Sequence, residues 1–226
     1  ASASRYGYLG VNLFFIISGF VILMTAASGS LRGFVISRMV RLYPAFWACC
    51  TITFVATVAI GEPRYFTSIG QYLVNMTMLN EFVRVPSIDG AYWSLFVELR
   101  FYGLIAILLA IGRIHQAQAF MFAWLVVSAA LELYPNGKLR YLLITNFSAF
   151  FIAGGAYFLI WSKGISWARV AIVGISWGLA VFQSINDLQQ FEKHYETDLN
   201  SNVVTGINTT FFVVMMLISL KHTGWV

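Results

Sequence analysis

Seven apolar runs, each close to the length of a membrane-crossing helix, divide this chain and limit what it can fold into. A helix of about 20 apolar residues crosses the roughly 30 Å hydrocarbon core of a bilayer. We therefore predict an all-α fold, a polytopic transmembrane helical bundle of about seven spans. The predicted spans are residues 8–27, 43–60, 93–111, 117–134, 141–161, 167–185 and 203–220.

The low content of charged residues supports a membrane location. Of 226 residues, 59% are hydrophobic and only 10% are charged, against about 25% charged residues in soluble domains. The net charge of +5 does not indicate a nucleic-acid partner, because the basic residues are scattered at the ends of apolar runs and form no basic face. Cys49 and Cys50 are adjacent and have neither disulfide nor metal-ligand spacing, so we expect no metal site.

The basic residues between spans predict the orientation of the chain. The first connection holds Arg32, Arg38 and Arg41 and no acidic residue, which places it in the cytoplasm by the positive-inside rule. Alternation from there puts further basic residues inside, namely Arg113, Lys163, Arg169 and Lys221. The acidic loop residues then fall outside. A short amphipathic or re-entrant helix is predicted at 71–81, and a polar external loop at 187–202.

Two further features of the spans concern helix packing and the position of a charged side chain. Gly174 and Gly178 are four residues apart in the sixth span, a small-xxx-small spacing that favours close approach of two helices. Glu132 lies near the end of its span, where a carboxylate can reach the headgroup region by snorkelling.

Glu98 is the most informative charged residue within a span. Residues four apart share a helix face, so Ser94, Glu98 and Tyr102 form one polar stripe, while Arg100 points roughly the other way. Burial of an ion in a membrane is costly and marks either a functional site or a structural anchor. From the residues alone, both interpretations of Glu98 stay open.

Arg38 and Arg41 are three residues apart and on a helix project to one side as a cationic pair. Two guanidinium groups suit a phosphate of a cytosolic donor. The alternative is that they only set topology and touch anionic lipid. On the first span, Asn12 and Gly19 share a face and offer a polar group beside a close-packing point.

Three stretches together resemble the acyltransferase-3 membrane family, which includes O-antigen and Nod-factor O-acetylases. They are Gly-Val-Asn-Leu-Phe-Phe-Ile-Ile-Ser-Gly-Phe at 10–20, Arg-Met-Val-Arg at 38–41 followed by Leu-Tyr-Pro, and Trp-Ser-Leu-Phe-Val-Glu-Leu-Arg-Phe-Tyr at 93–102. The second resembles the family's cytoplasmic Arg-x-x-Arg motif. The third resembles its Trp-Ser-Leu-x-Val-Glu-Glu-Gln-Phe-Tyr motif. The resemblance covers residues 8–105.

The resemblance implies transfer of an acyl group, usually acetyl from acetyl-CoA, to a hydroxyl of a cell-envelope carbohydrate or glycolipid. It implies acyl-CoA as the donor substrate, no bound cofactor, and a bacterial inner-membrane location. Arg38 and Arg41 would hold the donor, and Glu98 would belong to the catalytic polar core. We also expect Asn12, Ser94 and Tyr102 to contribute to substrate binding.

The chain departs from the family pattern at several positions. Asn12 stands where the family often has Asp, and Leu99 and Arg100 replace the commoner Glu and Gln. The family's first helix normally supplies an Arg and a catalytic His, and His115, His194 and His222, all in predicted loops, do not fit that role. We therefore expect residues 1–226 to form a single acyltransferase domain without its first helix and some C-terminal helices. A transporter or flippase and a non-catalytic membrane scaffold are the alternatives.

Overall fold

The computed structural model describes residues 3–27, 29–61, 67–195 and 200–222, in which it contains nine α-helices and no strand. The helices are α1 (Gly10–Ala26), α2 (Leu31–Ile60), α3 (Ile69–Asn75), α4 (Tyr92–Ala110), α5 (Ala117–Leu133), α6 (Gly137–Leu142), α7 (Thr145–Lys163), α8 (Trp167–Tyr195) and α9 (Ser201–His222). Short 3₁₀ segments precede α1 and α5.

Seven helical segments of the described chain are long and apolar enough to cross a membrane. They are Tyr6–Ala26, Leu31–Ile60, Tyr92–Ala110, Ile114–Leu133, Gly137–Lys163, Trp167–Leu188 and Ser201–Leu220. Each overlaps one predicted span. The prediction of an all-α, polytopic transmembrane fold is confirmed.

The second span is much longer than predicted. α2 has 30 residues and begins at Leu31, after Ser30 caps its first turn by accepting a hydrogen bond from Gly33 N at 3.1 Å. At 1.5 Å per residue it is about 45 Å long, more than the hydrocarbon core requires. The predicted loop before residue 43 is therefore wrong beyond Ser30. The basic residues that interrupt the apolar pattern continue the helix instead of ending it.

Two predicted connections also differ from the structure. α3 ends at Asn75, and the chain then turns through Met78, whose φ of 58° is incompatible with a continuing helix, so the predicted helix at 71–81 is wrong after Asn75. α8 continues to Tyr195, so the predicted loop at 187–202 is wrong over its first half. The polar residues there form the end of a helix that is longer than its apolar run.

The chain divides into two compact units, one of residues 1–29 and 107–226 and one of residues 30–106. α7 is the central helix of the first unit and packs against α1, α5, α8 and α9. Within its span, 83% of the most apolar window is buried in protein. α7 is therefore surrounded mainly by other helices of this unit.

Glycines bring α1 and α7 into backbone contact. A Cβ placed on Gly154 would collide with the carbonyl oxygen of Ile16, and one on Gly19 would collide with the carbonyl oxygen of Phe151. Within the described residues, the predicted close approach at Gly174 and Gly178 is wrong, because both glycines are exposed and a Cβ on either would meet no atom within 4 Å. The spacing alone does not show which face of a helix meets protein and which meets lipid.

Polar side chains tie the first unit together. Asn12 Nδ2 donates to Asn208 Oδ1 at 3.0 Å, and Asn208 Nδ2 donates to Ser184 Oγ at 3.1 Å, which links α1, α9 and α8. The Tyr157 hydroxyl donates to the carbonyl oxygen of Phe212 at 2.7 Å. Hydrogen bonds between helices are favourable in lipid because water does not compete for the groups.

Glu132 belongs to a polar cluster near the end of α5. Its carboxylate is 3.0 Å from Arg140 Nη2 and accepts a hydrogen bond from Gln183 Nε2. Arg140 also donates to Asn146 Oδ1 at 3.0 Å. The ion pair connects α5 and α6, and the hydrogen bond from Gln183 adds α8 to the cluster. The partner on α6 follows Glu132 by eight residues across a turn, so helix spacing does not reveal it.

Candidate active site

The unit of residues 30–106 is organised by packing between α2 and α4. Phe46 and Cys50 on α2 form a buried cluster with Met78 and Tyr92. The rings of Phe46 and Tyr92 meet edge to face with centroids 5.0 Å apart. The start of α4 is thereby fixed against the middle of α2.

The connection between α3 and α4 is fixed to α2 by hydrogen bonds. Trp47 Nε1 donates to the carbonyl oxygen of Met76 at 2.9 Å, and the Tyr43 hydroxyl donates to that of Thr77 at 2.8 Å. The fully buried Asn75 donates to Pro86 O at 3.1 Å and accepts from the Ile88 backbone N–H at 3.2 Å. These bonds hold the register of the segment that leads into Glu98.

Arg38 lines a cavity of about 190 Å³ inside this unit. Its side chain is only 7% exposed, and Nη2 donates to Ser37 Oγ at 3.3 Å. The rest of the wall is mainly apolar and is formed by Phe34, Val35, Met39, Leu42, Tyr43, Leu99, Tyr102, Gly103 and Ala106. A guanidinium group thus faces a small space with low-dielectric walls, where its interaction with an anion is strong.

Glu98 and Tyr102 lie one helical turn apart on α4, and both are buried, at 6% and 8% exposure. The Tyr102 hydroxyl is within side-chain hydrogen-bonding reach of both Glu98 and Arg38. The structure therefore brings together a cation, a phenol and a carboxylate from two helices. A phenol can donate to the carboxylate and accept from the guanidinium at once, which orients both.

The chain matches the family model described as "Acyltransferase domain", of the acyltransferase-3 type, over residues 5–226. The chain belongs to the acyltransferase-3 family. It is a membrane acyltransferase, and the match extends well beyond the region that carries the sequence motifs. Comparison with curated proteins and with solved structures gives no match.

Three other predicted site residues of this acyltransferase are not among the residues that line the cavity. Arg41 is exposed and does not line the cavity. Ser94 is half-buried, and its hydroxyl donates to the carbonyl oxygen of Ala91 at 3.2 Å. Asn12 belongs to the other compact unit, where it is bonded to Asn208. Arg100 turns to the Phe96 ring, with its guanidinium carbon 5.1 Å from the ring centroid.

Sequence reasoning missed the aromatic residues of the acyltransferase cavity, Phe34 and Tyr43. Phe34 is buried, and its ring meets that of Tyr102 edge to face at 6.3 Å. The available signal was spacing, because Phe34 precedes Arg38 by four residues on one helix face. That signal was hidden by the prediction of a loop at this point.

The histidines and acidic residues add two further observations on this acyltransferase. His115 lies in the 3₁₀ segment Ile114–Gln116, His194 lies within α8 and His222 ends α9, so the prediction that all three lie in loops is wrong. Within the part of the chain that the structure describes, no group of three or more His, Cys, Asp or Glu residues forms a metal-binding cluster.

Proposed function

We propose that this acyltransferase transfers an acyl group, usually acetyl, from acyl-CoA to a hydroxyl of a cell-envelope carbohydrate or glycolipid at a bacterial inner membrane. The observation that carries the proposal is the buried Arg38, which faces an apolar cavity beside Tyr102 and Glu98. Family membership supports the reaction class, and the buried guanidinium beside a cavity supports binding of one anionic segment of the donor.

Arg38 suits a phosphorylated donor because a guanidinium group binds phosphate oxygens through two parallel hydrogen bonds. It lies in the first third of α2, the part with a dense set of basic residues. The positive-inside rule places that part at the cytoplasmic surface, where acyl-CoA is available. Arg41, one turn further along α2 and exposed, would meet an outlying part of the same anion.

In the proposed reaction, the acceptor hydroxyl oxygen attacks the thioester carbonyl carbon while a base takes its proton. The carbon–sulfur bond then breaks, and the CoA sulfur leaves as a thiolate that takes up a proton. Charge develops on the carbonyl oxygen during attack, and fixed hydrogen-bond donors stabilise it. In this proposal Arg38 holds a phosphate of the donor, while Glu98 orients Arg38 through the Tyr102 hydroxyl.

The test is acyl transfer in inside-out membrane vesicles that contain the protein. Radiolabelled acetyl-CoA is added, and label in envelope glycans is measured for the wild type, Arg38→Ala and Arg32→Ala. Arg32 is exposed on the same helix and serves as the matched control. We expect label from the wild type and Arg32→Ala, and a loss of at least tenfold for Arg38→Ala.

Two outcomes would contradict the proposal. Unchanged transfer by a correctly inserted Arg38→Ala variant would show that the donor does not bind at Arg38 on α2. Transfer only from longer acyl-CoA donors would keep the site and overturn the acetyl assignment.

A further inference from the structure

A second cavity, of about 250 Å³, lies within the unit of residues 1–29 and 107–226 and shares no lining residue with the cavity beside Arg38. It forms where α1 and α7 end and α5 begins. Its walls are Leu23, Ala27, Ile114, Ala117, Phe158 and Leu159, and its polar residues are His115 and Lys163. An apolar pocket with two basic groups is complementary to an amphiphile that has an anionic head group.

The charge at this end of the unit has one sign. Arg113, Lys163 and Arg169 lie near the helix ends that surround the cavity. The two acidic side chains of this unit that the structure describes, Glu132 and Asp187, lie toward the opposite ends of α5 and α8. Among the side chains of this unit that the structure describes, no carboxylate near the cavity offsets the attraction that an anion meets there.

The Lys163 ammonium group is available to a ligand because Arg169 binds the carbonyl oxygens at the end of α7 in its place. Arg169 Nη1 donates to the carbonyl oxygens of Lys163 at 3.1 Å and Gly164 at 2.6 Å, which satisfies the exposed carbonyls at the end of α7. In the described residues, no side chain pairs with the Lys163 ammonium group or the His115 imidazole, and both side chains are exposed.

We propose that this cavity binds an anionic phospholipid, with part of an acyl chain between Leu23, Phe158 and Leu159 and the phosphate beside Lys163 and His115. Basic pockets between transmembrane helices on the cytoplasmic side recognise such headgroups, and the positive-inside rule places this end there. The volume is below the roughly 300–1,000 Å³ of pockets that enclose whole small molecules. It therefore suits one segment of a ligand whose remainder lies in the bilayer, which favours a lipid over a nucleotide.

The experiment measures lipid binding to the full chain, delipidated in a neutral detergent, by native mass spectrometry. Phosphatidylglycerol and phosphatidylcholine with identical acyl chains are titrated separately. A basic residue at the membrane surface contributes roughly a fivefold gain in affinity for anionic lipid. We expect the wild type to prefer phosphatidylglycerol by at least that factor, and Lys163→Gln to lose the preference.

Two further variants make the result specific. Lys138→Gln removes an exposed positive charge at the opposite end of the same unit and should keep the preference. Ala27→Leu fills the cavity from an exposed position and should weaken binding of both lipids, which tests the site even if Lys163→Gln does not fold.

Equal binding of the two lipids by the wild type would overturn the proposal, as would an unchanged preference in a folded Lys163→Gln variant. Addition of coenzyme A supplies a last check on the occupant. Displacement of phosphatidylglycerol by equimolar coenzyme A would assign the cavity to the acyl donor and exclude a lipid site.

Discussion

The Tyr102 hydroxyl lies within hydrogen-bonding reach of the Glu98 carboxyl group one turn before it on α4, and of Arg38 on α2. A single phenol thus links a carboxylate and a guanidinium that neighbouring helices bury. Because that hydroxyl lies beside both charged groups, small changes at Tyr102 test the arrangement without removing a charge.

Tyr102→Phe removes only the hydroxyl. A hydrogen bond to a charged group contributes about 1.5–3 kcal/mol, and a loss of that size in the transition state corresponds to roughly 10- to 100-fold in rate. We expect kcat/KM for acyl transfer to fall by that factor, with membrane insertion unchanged. Initial rates in vesicles measure it, and Tyr134→Phe, at an exposed tyrosine, is the control. An unaltered rate would show that the phenol has no part in the reaction.

Arg38→Lys keeps the charge but loses the planar, bidentate geometry of guanidinium. We expect KM for acyl-CoA to rise about tenfold or more, because the loss of one charge-assisted hydrogen bond contributes on the order of 1.5–3 kcal/mol. Arg41→Lys should change KM less, since Arg41 is exposed and lies off the cavity wall. Donor titrations of both variants make the comparison. A larger effect at Arg41 would move the donor site outward along α2.

Gly154→Val should destabilise the unit of α1 and α7 by about 3 kcal/mol or more, because the new side chain would overlap backbone atoms that cannot rotate away. Gly174→Ala should instead be neutral or stabilising by up to about 1 kcal/mol, because alanine has the higher helix propensity and meets no neighbouring atom. Thermal unfolding in detergent compares the two. A lower midpoint for Gly174→Ala than for Gly154→Val would contradict the observed helix contact.

Arg140→Gln should cost about 2 kcal/mol of stability, a value between exposed and fully buried ion pairs, because Arg140 and Glu132 are 28% and 11% exposed. The double variant with Glu132→Gln should recover part of that loss, since no carboxylate is then left without its cation. Unfolding in mixed micelles measures the cycle, with Lys138→Gln on the same short helix as control. Strictly additive effects would rule out the pairing.

The number and positions of the spans could be predicted from the sequence, because apolar length alone decides what crosses a bilayer. The start of α2 and the end of α8 could not be predicted, since both helices extend beyond their apolar runs into charged segments. The stripe that holds Glu98 and Tyr102 followed from helix spacing within α4. The proximity of that stripe to Arg38 could not be predicted, because contact between two helices depends on how they pack. Residue spacing within one helix does not determine that packing.

Residue spacing also failed to predict which glycines lie where two helices meet. Gly19 and Gly154 lie on different spans and gave no paired signal. Gly174 and Gly178 gave one, at positions where a Cβ would meet no atom of the described residues within 4 Å. Spacing within one helix predicts that a close contact is possible. Which helix supplies the partner is decided by the arrangement of the whole unit.

The position of α7 has a consequence for how the chain is made. Two of its neighbours, α1 and α5, leave the ribosome before it, and the other two, α8 and α9, leave after it. As α7 enters the membrane, half of its protein surroundings have not yet been synthesised. Its contacts are therefore completed only after translation has passed α9, so that a chain stalled before that point holds its central helix partly in lipid.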